Sequence, residues 1–146
     1  VGVEGSFPEV VTRGRLVIIM PFGVRDVEGR GEPHDFDAFY LEVLRPIAQD
    51  EGWEVLRADE VIETGTVTSE ALRELYAADL VVADVSRVSG NVYYELGVRQ
   101  EVSPRATVLI ALSGTQLPVA IASHRVLFYG EELSSDTGFR DSYRAA

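Results

Sequence analysis

Cysteine is absent from this chain, and so is lysine. The first absence excludes disulfides, zinc–thiolate centres and thiol nucleophiles. It also fits a reducing compartment, so a cytoplasmic location is expected. The second leaves arginine as the only permanent side-chain cation, a group suited to planar, two-point contacts with anions. Histidine occurs only at His34 and His124. Ser123 precedes His124 directly, and adjacency in sequence does not make a catalytic triad. Carboxylate spacing gives no metal signal. Basic residues number 13 against 24 acidic ones, for a net charge of −11. With no basic stripe to neutralise phosphates, nucleic acid is not an expected partner. No apolar run approaches the ~20 residues needed to cross a bilayer, so a membrane is not one either. A Walker loop and a Gly-x-Gly-x-x-Gly element are both missing, and Gly29-Arg30-Gly31 lies far from any strand end.

What is present amounts to a single domain. The chain has 146 residues, 46% of them hydrophobic, enough for a substantial core. Residues 1–14 form a polar lead-in without a clear period, and 15–146 read as one α/β domain. The chain begins at Val1, and the expectation is a domain excised from a longer multidomain protein.

Short, continuous apolar runs mark strands covered on both faces. They are Leu16–Met20, Leu80–Ala83, Thr107–Leu112 and Val126–Tyr129, with Trp53–Arg57 as a further strand. Phe36, Phe39, Tyr40, Val43, Leu44, Ile47 and Ala48 recur at helical spacing. Asp35 or Asp37 is placed to cap that helix, Gly52 to end it, and Pro46 to kink it or remove a hydrogen bond. A second helix starts at Thr68 or Ser69, with Ala71, Leu72, Leu75 and Tyr76 inward. A third follows Asn91, read as its N-cap, with Val92, Tyr93, Leu96 and Gln100 on one face and Gly97 allowing close approach to the sheet. Leu117–Ser123 is either a short helix or an extended connection, and the tail from Glu131 is expected to start as a helix. The stretch from Val24 to His34 is a long, glycine- and charge-rich loop.

Strands alternating with helices imply right-handed crossovers and a parallel sheet. Five such strands fit a flavodoxin-like three-layer sandwich in the order 2-1-3-4-5. Its ligand crevice lies at the carboxyl edge, where strand order reverses. That topology gathers Pro21–Gly23, Asp84–Ser86 and the start of the helix bearing Glu95. The first strand ends in Met-Pro-Phe rather than an acidic pair, which disfavours a phosphoacceptor receiver of the same fold. Each carboxylate also has a purely structural reading: Glu95 as a surface pair with Arg99 one turn on, Asp84 as a turn cap.

The segments MPFG, DFDAFYLEVLRPIAQDEGWEVLRADE, ADLVVADVS, NVYYELGVR and TVLIALSGTQLP, in this order, resemble the Toll/interleukin-receptor-like (TIR-like) domain of bacterial proteins related to the N-terminal region of apoptosis-signal-regulating kinases. The wider clan includes nucleoside 2-deoxyribosyltransferases and TIR-domain NAD glycohydrolases. The resemblance spans Arg15 to Tyr129. It implies cleavage or transfer at the N-glycosidic bond of NAD or a related nucleotide, with Glu95 as the essential carboxylate and Asp84 as its companion. Pro21, Phe22, Gly23, Asp59, Ser86, Asn91 and Tyr94 are the residues expected to bind the nucleotide. No resident cofactor is implied. Bacterial immune signalling and homo-oligomers built through the domain are further implications.

Two departures leave a second function open. The TIR pattern has Trp three residues before its Glu, where this chain has Val92. The deoxyribosyltransferase pattern has Gly-Thr where it has Asn91-Val92. The alternative is a non-catalytic nucleotide-binding and self-association module. Chemically, one carboxylate can stabilise or attack an oxocarbenium-like centre. Nicotinamide leaves as a neutral base, whereas a purine or pyrimidine needs a proton, which Asp84 would supply or relay. Backbone amides near Gly23 and Gly90, with Arg25, Arg87 or Arg99, are candidate phosphate donors, and Phe22, Tyr93 and Tyr94 candidate stacking partners.

Overall fold

The computed structural model describes residues 12–61 and 69–130. An inner strand of its main sheet is β1 (Gly14–Ile19), whose last four residues, Leu16 to Ile19, are all buried. A strand with no polar face must be covered on both sides, and this one is. It pairs in parallel with β4 (Trp53–Arg57) and β5 (Leu80–Asp84), Val17 lying opposite both Leu56 and Val81. β5 pairs with β6 (Thr107–Leu112), and β6 with β7 (Val126–Tyr129), again in parallel. The sheet order is β4-β1-β5-β6-β7, or 2-1-3-4-5 counting these five strands alone, which is the flavodoxin-like arrangement.

Alternation along β1 divides the core. Leu16, Ile18 and Met20 pack with Phe36, Phe39, Tyr40 and Val43 on one face. Val17 and Ile19 pack with Leu75, Val92, Leu96 and Ile121 on the other. Each such side chain stabilises the fold by about 1.5–3 kcal/mol when fully buried. The first face carries α1 (Phe36–Phe39) and α2 (Arg45–Asp50). The second carries α3 (Ser69–Ala77), α4 (Gly90–Val102) and α5 (Val119–Ala122), so Leu117–Ser123 contains a short helix.

Asp35 caps α1 by accepting the Ala38 amide at 3.0 Å. Between α1 and α2 the chain widens into a π-helical turn, Tyr40–Leu44, where the Arg45 amide bonds back to the Tyr40 carbonyl. That turn, just before Pro46 in α2, is where the regular helical ladder is interrupted, as a proline inside the helix requires. Gly52 ends the helix at φ +86.

The stretch from Val24 to His34 carries more structure than a plain loop. β2 (Val24–Arg25) and β3 (His34–Asp35) pair antiparallel and hold the bend between them as a strap. Val27 plants the strap in the core at 2% exposure, and Arg30 Nη1 donates to the Ser113 carbonyl at 2.7 Å.

Four expectations are corrected. Tyr76 is exposed, because Ala71 and Leu75, four residues apart, complete the buried stripe of α3 and Tyr76 lies a step around the helix from it. Asn91 is not the N-cap of α4: the Ser89 carbonyl accepts the first helical bond, from Tyr93 at 3.0 Å, so Ser89 is the cap and Asn91 lies exposed in the first turn. Gly97 approaches nothing, since a Cβ there would have no neighbour within 4 Å. Gln100 is exposed, and Arg99 takes its place inward. The expected tail helix from Glu131, like Thr68, lies outside the described residues.

No helix among the described residues is long and apolar enough to cross a membrane.

Candidate functional site

Every main-sheet strand runs toward the same edge, and the chemistry-bearing side chains collect there. β1 leads into Pro21, which is buried, then Phe22, half-exposed, and Gly23 at φ +70. Arg25 lies over the Phe22 ring, 5.4 Å from its centroid. The Gly23 carbonyl accepts the Phe36 amide at 3.1 Å, which ties this loop to the start of α1.

β4 delivers Arg57 to the same edge. Its Nε donates to Asp59 Oδ1 at 2.5 Å and its Nη2 to Asp59 Oδ2 at 2.7 Å, a two-point grip. Nη1 donates to Asp37 Oδ1 on α1, also at 2.7 Å, and the guanidinium lies 4.7 Å from the centre of the Tyr40 ring. The Tyr40 hydroxyl donates to Glu60, whose Oε2 also accepts the Arg57 amide at 3.1 Å. Burial and the Glu60 charge push the Tyr40 hydroxyl up to about 12. For Asp37, burial alone would raise the carboxyl. The Gly23 amide, Arg57 and Arg25 outweigh it and hold the group below its ordinary value. One arginine therefore joins β4, α1 and the 3-10 turn Ala58–Val61.

Glu95 comes from α4. It is 5% exposed and makes no hydrogen bond among the described residues. Its carboxyl is pushed up to about 7, first by burial and then by the negative charge of Asp59. The surface pairing with Arg99 does not occur. Arg99 is fully buried and donates to the carbonyls of Leu75 (2.6 Å), Ala78 (3.0 Å) and Ala106 (3.3 Å), closing the end of α3.

Asp84 has different surroundings. It is fully buried at the end of β5, and its Oδ1 accepts the Ser86 amide at 2.9 Å. Its Oδ2 accepts the Tyr129 hydroxyl at 2.6 Å. Burial raises its proton affinity, while the Ser86 and Tyr129 hydrogen bonds oppose the rise. The Ser86 hydroxyl accepts the Leu112 amide at 2.7 Å, so the ends of β5, β6 and β7 are stitched together.

The residues expected to bind nucleotide thus fall into groups. Asp59 meets Glu95 electrostatically; Gly23 joins the Arg57 cluster through Asp37, while Pro21 is buried just past β1; Phe22 and Tyr94 present half-exposed rings. Ser86 belongs with Asp84, and Asn91 lies exposed on α4. Arg57, Asp37, Tyr40, Glu60 and Tyr129 carry no sequence signal of their own as site residues. The run Arg57-Ala58-Asp59-Glu60 at a strand end is the one signal that pointed to part of this set.

On the α1 face a separate cavity of about 180 Å³ is lined by His34, Phe39, Glu42 and Tyr129 among others, with the Phe39 and Tyr129 rings stacked at 4.1 Å. Among the described residues, no group of three or more His, Asp or Glu is arranged to hold a metal ion. In comparisons with known proteins, no family model matches the chain and no curated protein matches its sequence.

Proposed function

We propose that this chain cleaves or transfers at the N-glycosidic bond of NAD or a related nucleotide, with Glu95 as the essential carboxylate. The observation that carries this reading is the state of Glu95: a carboxyl 5% exposed, without a hydrogen-bond donor among the described residues, at the ligand edge of a parallel sheet. Keeping an unpaired carboxyl there costs stability, and such costs concentrate at functional sites. As an anion it would face positive charge developing at the sugar carbon, where a water-poor setting strengthens the attraction. Phe22 and Tyr94 are half-exposed aromatic surfaces for a base, and Arg25 is a cation for phosphate. The resemblance to TIR-like domains supports a place in bacterial immune signalling, a cytoplasmic setting and activity as a homo-oligomer.

A second reading, a non-catalytic nucleotide-binding and self-association module, draws on one observation. Asp84 has both oxygens engaged inside the protein, so the proton for a purine or pyrimidine leaving group has no donor in that residue. One experiment separates the two. The chain is incubated with NAD and with purine nucleotides, and free nicotinamide and free base are measured for the wild type, Glu95→Ala and Glu95→Gln. Release by the wild type and loss in both variants support the enzyme. Binding without release by an assembled wild type supports the module.

A further inference from the structure

We propose that the cavity on the α1 face is a second binding site, built for a small organic cation: an apolar body with one ammonium or guanidinium group. It encloses about 180 Å³ between α1, the π-helical turn and the end of β7. Asp35, Ala38, Phe39, Glu42 and Val43 line it at spacings i, i+3, i+4, i+7 and i+8. They form one helical stripe, about 10 Å long at ~1.5 Å per residue. Its apolar members and the stacked Phe39 and Tyr129 rings make the floor. The half-buried His34 ring stands against both, 5.8 Å from Phe39 and 5.9 Å from Tyr129.

Charge decides the class of occupant. Two carboxylates bracket the stripe, Asp35 at one end and Glu42 toward the other, and no arginine lines the cavity. Asp35 gives its Oδ1 to the Ala38 amide as the helix cap. Glu42 has neither a hydrogen bond nor an ion pair among the described residues. An anion entering here meets two like charges and no arginine. A neutral molecule takes water from the Glu42 carboxylate and returns nothing, which is costly for a charge. A bare metal ion finds too few ligands, because no group of three or more His, Asp or Glu among the described residues is arranged for one. A cationic head beside Glu42 satisfies that carboxylate, and an apolar body covers the floor, where aromatic rings add their own attraction for positive charge. The volume lies below the ~300 Å³ at which drug-sized sites begin, which limits the occupant to one small ring or a short chain. The floor belongs to the α1-side core, whereas α4 packs on the opposite face of the sheet, so the inference stands apart from the role of Glu95.

The test compares three probes that share a phenethyl body and differ in charge: phenethylammonium, 2-phenylethanol and 3-phenylpropionate. Each is titrated into the isotope-labelled full chain at neutral pH, up to ~10 mM, with the Ala38 and Val43 methyl resonances reporting on the cavity. Phenethylammonium shifts both methyls saturably. The alcohol binds at least about fivefold more weakly, and the carboxylate leaves the methyls in place. Glu42→Gln weakens the amine by about fivefold and leaves the alcohol unchanged. Glu101→Gln, at an exposed carboxylate on α4, changes neither. Ala38→Leu fills the cavity from the helix side and abolishes binding of the amine. Should that variant fail to fold, Glu42→Gln, a change at an exposed position, still carries the decision. Equal affinity for the amine and the alcohol, equal behaviour of the Glu42 and Glu101 variants, or no saturable shift with any probe overturns the proposal. A saturable shift elsewhere that spares Ala38 and Val43 overturns it as well.

Discussion

Tyr129 and Asp84, 45 residues apart in sequence, meet inside the protein, the phenol donating to Oδ2 across 2.6 Å. The contact ties the last residue of an edge strand to the carboxylate that closes the central one. Because Asp84 is wholly buried, its ionised form depends on this donor and on the Ser86 amide. Tyr129→Phe removes that donor and leaves a buried acceptor short of a partner, which destabilises the fold by about 1–3 kcal/mol. Denaturant unfolding of the variant beside the wild type checks the size.

Glu95 carries a stability signature of its own. Its proton affinity is higher in the folded chain than in the unfolded one, so its contribution is complete below about 4.5 and is lost as pH rises through about 7. Glu95→Gln removes that loss. The variant matches the wild type at pH 4 and exceeds it by up to about 3 kcal/mol at pH 8, each tenfold difference in proton affinity being worth about 1.4 kcal/mol. Paired urea melts across that range make the comparison, and a wild type whose stability is flat between pH 5 and 8 contradicts it.

Arg99 is a bolt rather than a ligand contact. Replacing it with Met leaves the buried carbonyls of Leu75 and Ala78 without this donor, at about 1–3 kcal/mol for each that finds no water, while the Ala106 carbonyl keeps the Val81 amide at 3.1 Å. Arg99→Lys recovers only part of this, because an ammonium cannot span the three positions that the guanidinium reaches. Unfolding midpoints in the order wild type, Lys, Met are expected.

The strap between β2 and β3 depends on Gly29. Its φ of +88 suits glycine, and a Cβ there would stand 2.8 Å from the Gly114 carbonyl oxygen, a backbone atom that cannot turn aside. Gly29→Ala costs about 1–2 kcal/mol from backbone conformation alone, and the collision adds to it. Proteolytic nicking within 26–33 should accelerate in that variant relative to the wild type.

The strands were legible because parallel-sheet strands are apolar on both faces, so Leu16–Ile19 and Thr107–Leu112 announce themselves without any partner. The sheet order followed from right-handed crossovers. Glu95 was legible as the carboxylate on the helix that follows the Leu80–Asp84 strand into the crevice edge. What remained hidden is tertiary. Arg57 reads as the polar end of a strand until α1 brings Asp37 to it, and Arg99 reads as a surface partner for Glu95 until α3 presents its terminal carbonyls. Asp84 looked like half of a catalytic pair because nothing near it in sequence announces Tyr129. The start of α4 was displaced by two residues because an extended Ser89 caps with its carbonyl alone, which leaves no side-chain trace.

The triple engagement of Arg57 reaches beyond the site. Because one side chain spans β4, the turn after it and α1, these segments lose their mutual support together when it lets go. Amide protons in 53–57 and 36–39 should accordingly exchange with deuterium at one common opening free energy, as a single cooperative unit. The strand ends joined by Tyr129 should open on a different energy scale.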